Sequence, residues 1–175
     1  MSNLFAYPTN CGGHESLIYE LVRRSNCKKY LELGIYDASC IKNIANIVEK
    51  AVGVDIQKKH NNTNFVFIED TTDNFFEKNN DTFDIIFIDA DHKFESVLKD
   101  FNNSLKILNK HGLILIHDTD PMKPYLCEAG YCGNSYKMIE YLKNNYPELN
   151  FINLPITEAG LTIVNRYEDQ RHLQY

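Results

Sequence analysis

Apolar residues recur along this chain with two alternating spacings. In "HESLIYELVRR", Leu17, Ile18, Leu21 and Val22 share one face, the period of an amphipathic helix. Residues 30–33 form a short apolar run that predicts a strand, and Ile41, Ile44, Ala45 and Val48 then return to helical spacing. Residues 51–56 and 64–69 read as a second and third strand. Residues 83–90, "FDIIFIDA", read as a fourth, apolar on both faces as a strand covered on two sides must be. A long helix starting near Lys93 places Phe94, Val97, Leu98, Phe101, Leu105 and Leu108 on one side, with Asp91 as its expected cap. A fifth strand, 111–118, is entered through Gly112.

Residues 118–134 have no period and carry two prolines, which predicts an exposed loop. A helix over 135–145 follows. The last apolar runs, 149–155 and 161–166, are separated by the turn "ITEAG", the pattern of a hairpin. Strands alternating with helices predict an α/β fold. Specifically, they predict a Rossmann-like, doubly wound, seven-stranded, mostly parallel sheet whose terminal hairpin strand is antiparallel. With no internal repeat or linker, residues 1–175 read as one domain.

Composition narrows the function classes. The formal net charge of −6 and the lack of a Lys/Arg cluster argue against a nucleic-acid partner, since neutralising phosphates needs a basic face. No stretch approaches the roughly 20 apolar residues that span a bilayer. "MSNLFAYPTN" lacks the regions of a signal peptide, so a cytoplasmic location is expected. The five cysteines (Cys11, Cys27, Cys40, Cys127 and Cys132) are odd in number, and "CEAGYCG" is too widely spaced for a zinc knuckle. They are expected to be plain thiols.

In open α/β sheets the ligand sits beyond the carboxyl ends of the strands. Those ends here carry Glu32 and Gly34, Asp55, Glu69 and Asp70, Asp89 to His92, and His117 to Asp120, all acidic or polar apart from the glycine and Ala90. In this order they resemble the class I S-adenosylmethionine-dependent methyltransferases. "ELGIYDASC" is similar to the family's first motif, and the stretch from "FDIIFIDADHKF" to "HGLILIHDT" resembles small O-methyltransferases whose fourth strand ends D-x-D-H and whose fifth ends H-D-T. The resemblance implies S-adenosyl-L-methionine as cofactor, with Glu32, Gly34, Tyr36, Asp55, Ile56, Asp70 and Asp89 around it. Gly34 would let the backbone approach the methionine part. Asp55, 23 residues after Glu32, would accept the ribose hydroxyls, and Asp70 would lie near the adenine amino group.

The chain departs from the family at Ala38, which stands where a second glycine is usual. Alanine does not take positive φ cheaply, so this turn either keeps ordinary angles or bears strain. Relatives of the catechol type carry Asp-Asn where this chain has Asp118-Thr119. Relatives acting on macrolide sugars carry Glu-Asp where it has His117-Asp118, and place a histidine three positions after the fourth-strand acid, the spacing of Asp89 and His92. The implied catalytic set is His92 as base, Asp89 and His117. Asp89 and Asp118, with Asp120 or water completing the shell, would hold an optional Mg²⁺.

The favoured acceptor is a small hydroxylated molecule such as a saccharide, covered by the loop bearing Tyr125, Cys127, Glu128 and Tyr131. Oligomeric state is open, a homodimer being one option. A nicotinamide-dependent oxidoreductase should show G-x-G-x-x-G after the first strand, and "GIYDAS" does not. A passive nucleotide-binding protein, or a relative of cephalosporin hydroxylases, would share the fold without methyl transfer.

Overall fold

The computed structural model describes residues 13–166. Helix α1 (Gly13–Arg24) leads to β1 (Lys29–Leu33), a one-turn α2 (Ile41–Ile44), β2 (Lys50–Asp55) and β3 (Val66–Glu69). Then come α3 (Thr72–Lys78), β4 (Phe83–Ile88), α4 (Phe94–Ile107) and β5 (Leu108–His117). A 3₁₀ turn (Pro124–Cys127), α5 (Lys137–Asn145), β6 (Leu149–Leu154) and β7 (Leu161–Arg166) complete the chain. The seven strands form one sheet in the order β3-β2-β1-β4-β5-β7-β6. Strands β1 to β5 are parallel, and β7 runs antiparallel to both β5 and β6. This is the Rossmann-like sheet with an antiparallel terminal hairpin that the pattern of the chain predicts.

Alternation along the strands sorts the core into two layers. Leu31, Leu33, Ile86 and Ile88 face α4 and α5, packing with Val97, Phe101, Met138 and Leu142. Tyr30, Ile85, Phe87 and Leu115 face the other way, against Ile18, Val22, Ile41 and Ile44 of α1 and α2. Glu32 shares the side of Tyr30, so its carboxyl enters an apolar layer rather than water; it is 2% exposed.

Three elements differ from the sequence reading. Helix α2 ends at Ile44, because Ala45 to Val48 run on as turns toward β2. Helix α4 stops at Ile107, and β5 begins at Leu108, with Asn109 donating to the Asp84 carboxylate. Helix α3 was not read at all: it buries one side chain, Phe75, and so lacks an apolar stripe. Its start is nonetheless signalled by Thr71, whose hydroxyl accepts from the Asn74 N–H at 3.2 Å. Among the described residues no helix is long and apolar enough to cross a membrane, and Cys27, Cys40, Cys127 and Cys132 are free thiols. Cys11 lies outside the described residues.

Candidate functional site

The strand order reverses between β1 and β4, which opens a crevice at their carboxyl ends. There β1 and the residue after it meet β4 on one side and β2 on the other, backbone to backbone. Asp89 N–H donates to the Leu33 carbonyl and Gly34 N–H to the Val54 carbonyl, each at 2.8 Å. Gly34 has φ +82°, and a Cβ on it would lie 2.2 Å from the Asp89 carbonyl oxygen. No side chain fits there, so the glycine is required by this junction itself.

The loop after β1 is unusual. Tyr36 (φ 45°) and Ala38 (φ 62°) both adopt the left-handed conformation. Ala38 therefore bears the strain rather than avoiding it. The Asp55 carboxylate compensates by accepting from the N–H groups of Ile35 (3.0 Å) and Tyr36 (2.9 Å), while its other oxygen accepts from Gln57 N–H (3.1 Å). Asp55 thus braces the first loop and caps no helix.

Beside this loop lies a cleft of about 290 Å³, with Gly34, Asp55 and Ile56 on one wall and Asp70 to Asp73 on another. Ala90, Asp91 and the first turns of α4 (Ser96, Lys99, Asp100) close it. Four of the expected cofactor residues, Gly34, Asp55, Ile56 and Asp70, are brought together here. Tyr36 stands exposed outside the lining, under the Lys59 ammonium at 4.5 Å. Glu32 is not at the cleft: its carboxyl accepts from Tyr30 Oη at 2.7 Å, and burial pushes its pKa up to about 8. Asp70 is held low, to about 2, by bonds from Lys78, Asn74 and the Thr71 N–H.

Asp100 was missed in the sequence. It lines the cleft, is buried, and burial raises it to about 6 against the pull of Thr72. Its signal was an acid beside Val97 and Phe101 on the apolar face of α4. Asp91 does not cap α4 as expected. Its carboxylate accepts from Ser96 Oγ, and the cap comes from across the loop, where Asn134 Oδ1 accepts from Phe94 N–H at 2.6 Å.

A second group of side chains lies on the opposite side of Gly34 and Asp89. His92 Nε2 is 3.1 Å from Asp118 Oδ2 and 3.6 Å from Asp89 Oδ1. His117 Nδ1 is 3.1 Å from Asp89 Oδ1 and 3.4 Å from Asp118 Oδ1. Asp118 is buried and left-handed (φ 61°), which turns its carboxylate back toward β4. The carboxylates favour the charged form of both imidazoles. Asp89, then Asp118, raises His92 to about 9 against its burial. For His117, burial is the largest single influence and opposes charge, but Asp118 and Asp89 outweigh it and the pKa rises to about 10. Asp89 stays low despite burial because of the same two histidines.

The loop after β5 fixes His92 from outside. Its Nδ1 meets the Tyr131 carbonyl. Its own carbonyl accepts from Asn134 N–H at 3.0 Å, an approach that Gly133 permits by lacking a Cβ, which would stand 2.4 Å from that oxygen. Buried Cys132 donates its thiol to Asp118; burial and that carboxylate push the thiol up to about 12. Tyr125 and Tyr131 pack edge to face at the exposed rim. Asp120 does not join the group: it accepts from Asn153 of β6. His14, unmarked by any motif, does join it from α1, its ring centroid 4.1 Å from that of His117.

These donors suit a cation. Ligand atoms of Asp89, His92 and Asp118 lie within 4.8 Å of one another, as do those of His14, Asp89 and His117. His117 Nε2 is buried with no hydrogen-bond partner. The cleft, with an acid at the end of β2 and a backbone junction at Gly34, likewise suits an adenosyl group.

Solved structures with the same fold are numerous. Cofactor-bound Rv0187 from MTB superposes with a TM-score of 0.75 at 12% identity, over 93% of this chain and 84% of that one. The O-methyltransferase from Bacillus cereus in complex with SAH gives 0.68 at 14%, over 90% and 83%. The O-methyltransferase TomG from Streptomyces achromogenes, involved in tomaymycin synthesis and bound to SAM, gives 0.65 at 14%, over 91% and 82%. No curated protein sequence matches the chain. A family model described as a methyltransferase domain matches residues 13–119, from α1 through Asp118-Thr119 just after β5. With well over half of its length matched, and both groups of site residues inside that span, the chain belongs to this methyltransferase-domain family.

Proposed function

We propose that this protein transfers a methyl group from S-adenosyl-L-methionine to a hydroxyl of a small acceptor. The observation that carries the reading is the Gly34–Asp89 junction. It has an adenosyl-sized cleft on one side and two carboxylates with two histidines on the other. A sulfonium methyl seated at the junction would face that second group. The SAH and SAM complexes of the B. cereus and S. achromogenes enzymes support the choice of cofactor.

Each residue then has a physical task. Asp55 accepts the ribose hydroxyls while bracing the first loop, and Asp70 and Asp100 bound the adenine end. Methyl transfer is an in-line displacement, so most of the work is positioning and removing the hydroxyl proton. Positive charge held by Asp89 and Asp118 would favour neutral His92, whose Nδ1–H donates to the Tyr131 carbonyl and whose Nε2 lone pair is directed at the space near those carboxylates, where a hydroxyl proton can be received. Asp89 and Asp118 would hold a divalent ion such as Mg²⁺, whose charge would lower the pKa of a hydroxyl beside it. His117 keeps the Asp89 carboxylate oriented. The exposed Tyr125–Tyr131 pair forms an aromatic rim for a compact acceptor such as a saccharide.

The test is incubation with S-adenosylmethionine labelled in its methyl group and a panel of hydroxylated small molecules, followed by mass spectrometry. Label on an acceptor oxygen, with S-adenosylhomocysteine released in equal amount, is the expected result. Tight cofactor binding with no label on any oxygen acceptor would overturn the assignment to hydroxyls.

A further inference from the structure

We infer that His14, Asp89 and His117 form a site for a first-row divalent transition ion rather than Mg²⁺. The inference rests on Asp89 as a metal-binding carboxylate and deepens that reading: it moves the ion from an all-oxygen pair toward β5 and α1, leaving Asp118 and His92 for the hydroxyl.

Three observations carry it. First, one ligand atom from each of the three residues lies within 4.8 Å of the others, a spacing one cation can bridge. Second, His117 Nδ1 already faces Asp89 Oδ1 at 3.1 Å, so a cation between them would replace an existing contact without moving either residue. Third, the His14 and His117 rings lie 4.1 Å apart at 42°, neither stacked flat nor edge to face, so their contact is not explained as a favourable aromatic pair. All three residues also stand on regular elements or directly at their ends: His14 in the first turn of α1, Asp89 after β4, and His117 closing β5.

Donor chemistry decides the ion. Magnesium and calcium take oxygen ligands and are poorly served by imidazole. Two imidazoles and one carboxylate suit zinc, iron, cobalt, nickel or manganese, with remaining positions open to water or to an acceptor oxygen.

The test uses the full chain, stripped with a chelator and loaded with Co²⁺ for visible absorption, or Mn²⁺ for pulsed electron paramagnetic resonance. The expected result is one equivalent of Co²⁺ that millimolar Mg²⁺ does not displace, and nitrogen-14 modulation on the Mn²⁺ signal. That second readout needs no variant. Loss of even an outer-shell partner commonly costs about 10–100-fold in metal affinity, so H14Q and H117Q should each weaken Co²⁺ by at least that order. Each should also reduce the nitrogen modulation.

An absence of nitrogen modulation overturns the inference, as does displacement by Mg²⁺ or Co²⁺ affinity unchanged in both variants. S-adenosylhomocysteine binding is measured on the same samples. Its retention without Co²⁺ binding sinks the ion site alone. Co²⁺ binding without it sinks the methyl-transfer reading and leaves the ion site standing.

Discussion

The two sides of the Gly34–Asp89 junction are built by different means. On the cleft side, acids are set by their own neighbourhood. Asp70 is held by Thr71, Asn74 and Lys78, all within eight residues, and Asp55 reaches only from the end of β2 to the loop of the adjacent strand. On the other side, His14, Asp89, His92, His117 and Asp118 arrive from α1, β4, β5 and the segments beyond them, and both His92 and His117 lie against the same two carboxylates. Removing one acid from the cleft should cost binding and leave the histidine–carboxylate group in place. A change in the histidine–carboxylate group should alter every member at once.

The sharpest break between the two sides is His92→Ala. It should lower turnover by roughly 10²–10⁴-fold, the usual worth of a positioned base, with cofactor affinity unchanged by calorimetry. Full turnover would return His92 to a purely structural role.

Next is Glu32, which belongs to neither side. Its folded pKa, about 8, lies above the ordinary carboxyl value of 4.5, so the folded state binds more protons between these values. Its favourable contribution is complete below about pH 4.5 and is lost as pH rises through 8. Denaturant melts of Glu32→Gln should be flatter than wild type across that window, by on the order of 2–4 kcal/mol between its ends. Parallel curves would contradict the buried, neutral carboxyl.

Smaller again is Asp55→Ala, which should weaken S-adenosylhomocysteine binding by about 1.5–3 kcal/mol through lost bonds to a charged acceptor. His92 should titrate unchanged by NMR in that variant, since Asp55 lies on the other side. The smallest effect is Ala38→Gly. Relief of a left-handed alanine is worth about 1–2 kcal/mol, and the flexibility of an unfolded glycine returns about 0.5–1 of it. A modest rise in unfolding midpoint is expected.

The same contrast explains what could be read from the chain. The seven strands, the terminal hairpin and the strand-end acids were legible because period-2 and period-3.6 patterns carry burial directly, as in 83–90 and in α4. Helix α3 escaped because one buried Phe75 makes no pattern, and α2 was overextended because Ala45 and Val48 pack against the core from a turn. Cleft residues Gly34, Asp55, Ile56 and Asp70 could be named because each sits at or just past the end of a strand. Glu32 was placed with them by the motif, but strand alternation sends it into the α1–α2 layer. His14 was invisible, since only the packing of α1 across the sheet brings it beside His117. The remote cap of α4 by Asn134 is non-local in the same way.

The central claim is that the cleft beside Gly34 holds an adenosyl cofactor of the methyl-transfer type. Isothermal titration of the folded protein with S-adenosylhomocysteine, with NAD as control, tests it most directly. The account predicts saturable one-to-one binding of S-adenosylhomocysteine, abolished or weakened by Asp55→Ala, and none of NAD. Ligand at 100 times its dissociation constant should also stabilise the fold by about 2.7 kcal/mol. Binding of NAD, or no binding of S-adenosylhomocysteine by protein that melts cooperatively, would contradict it.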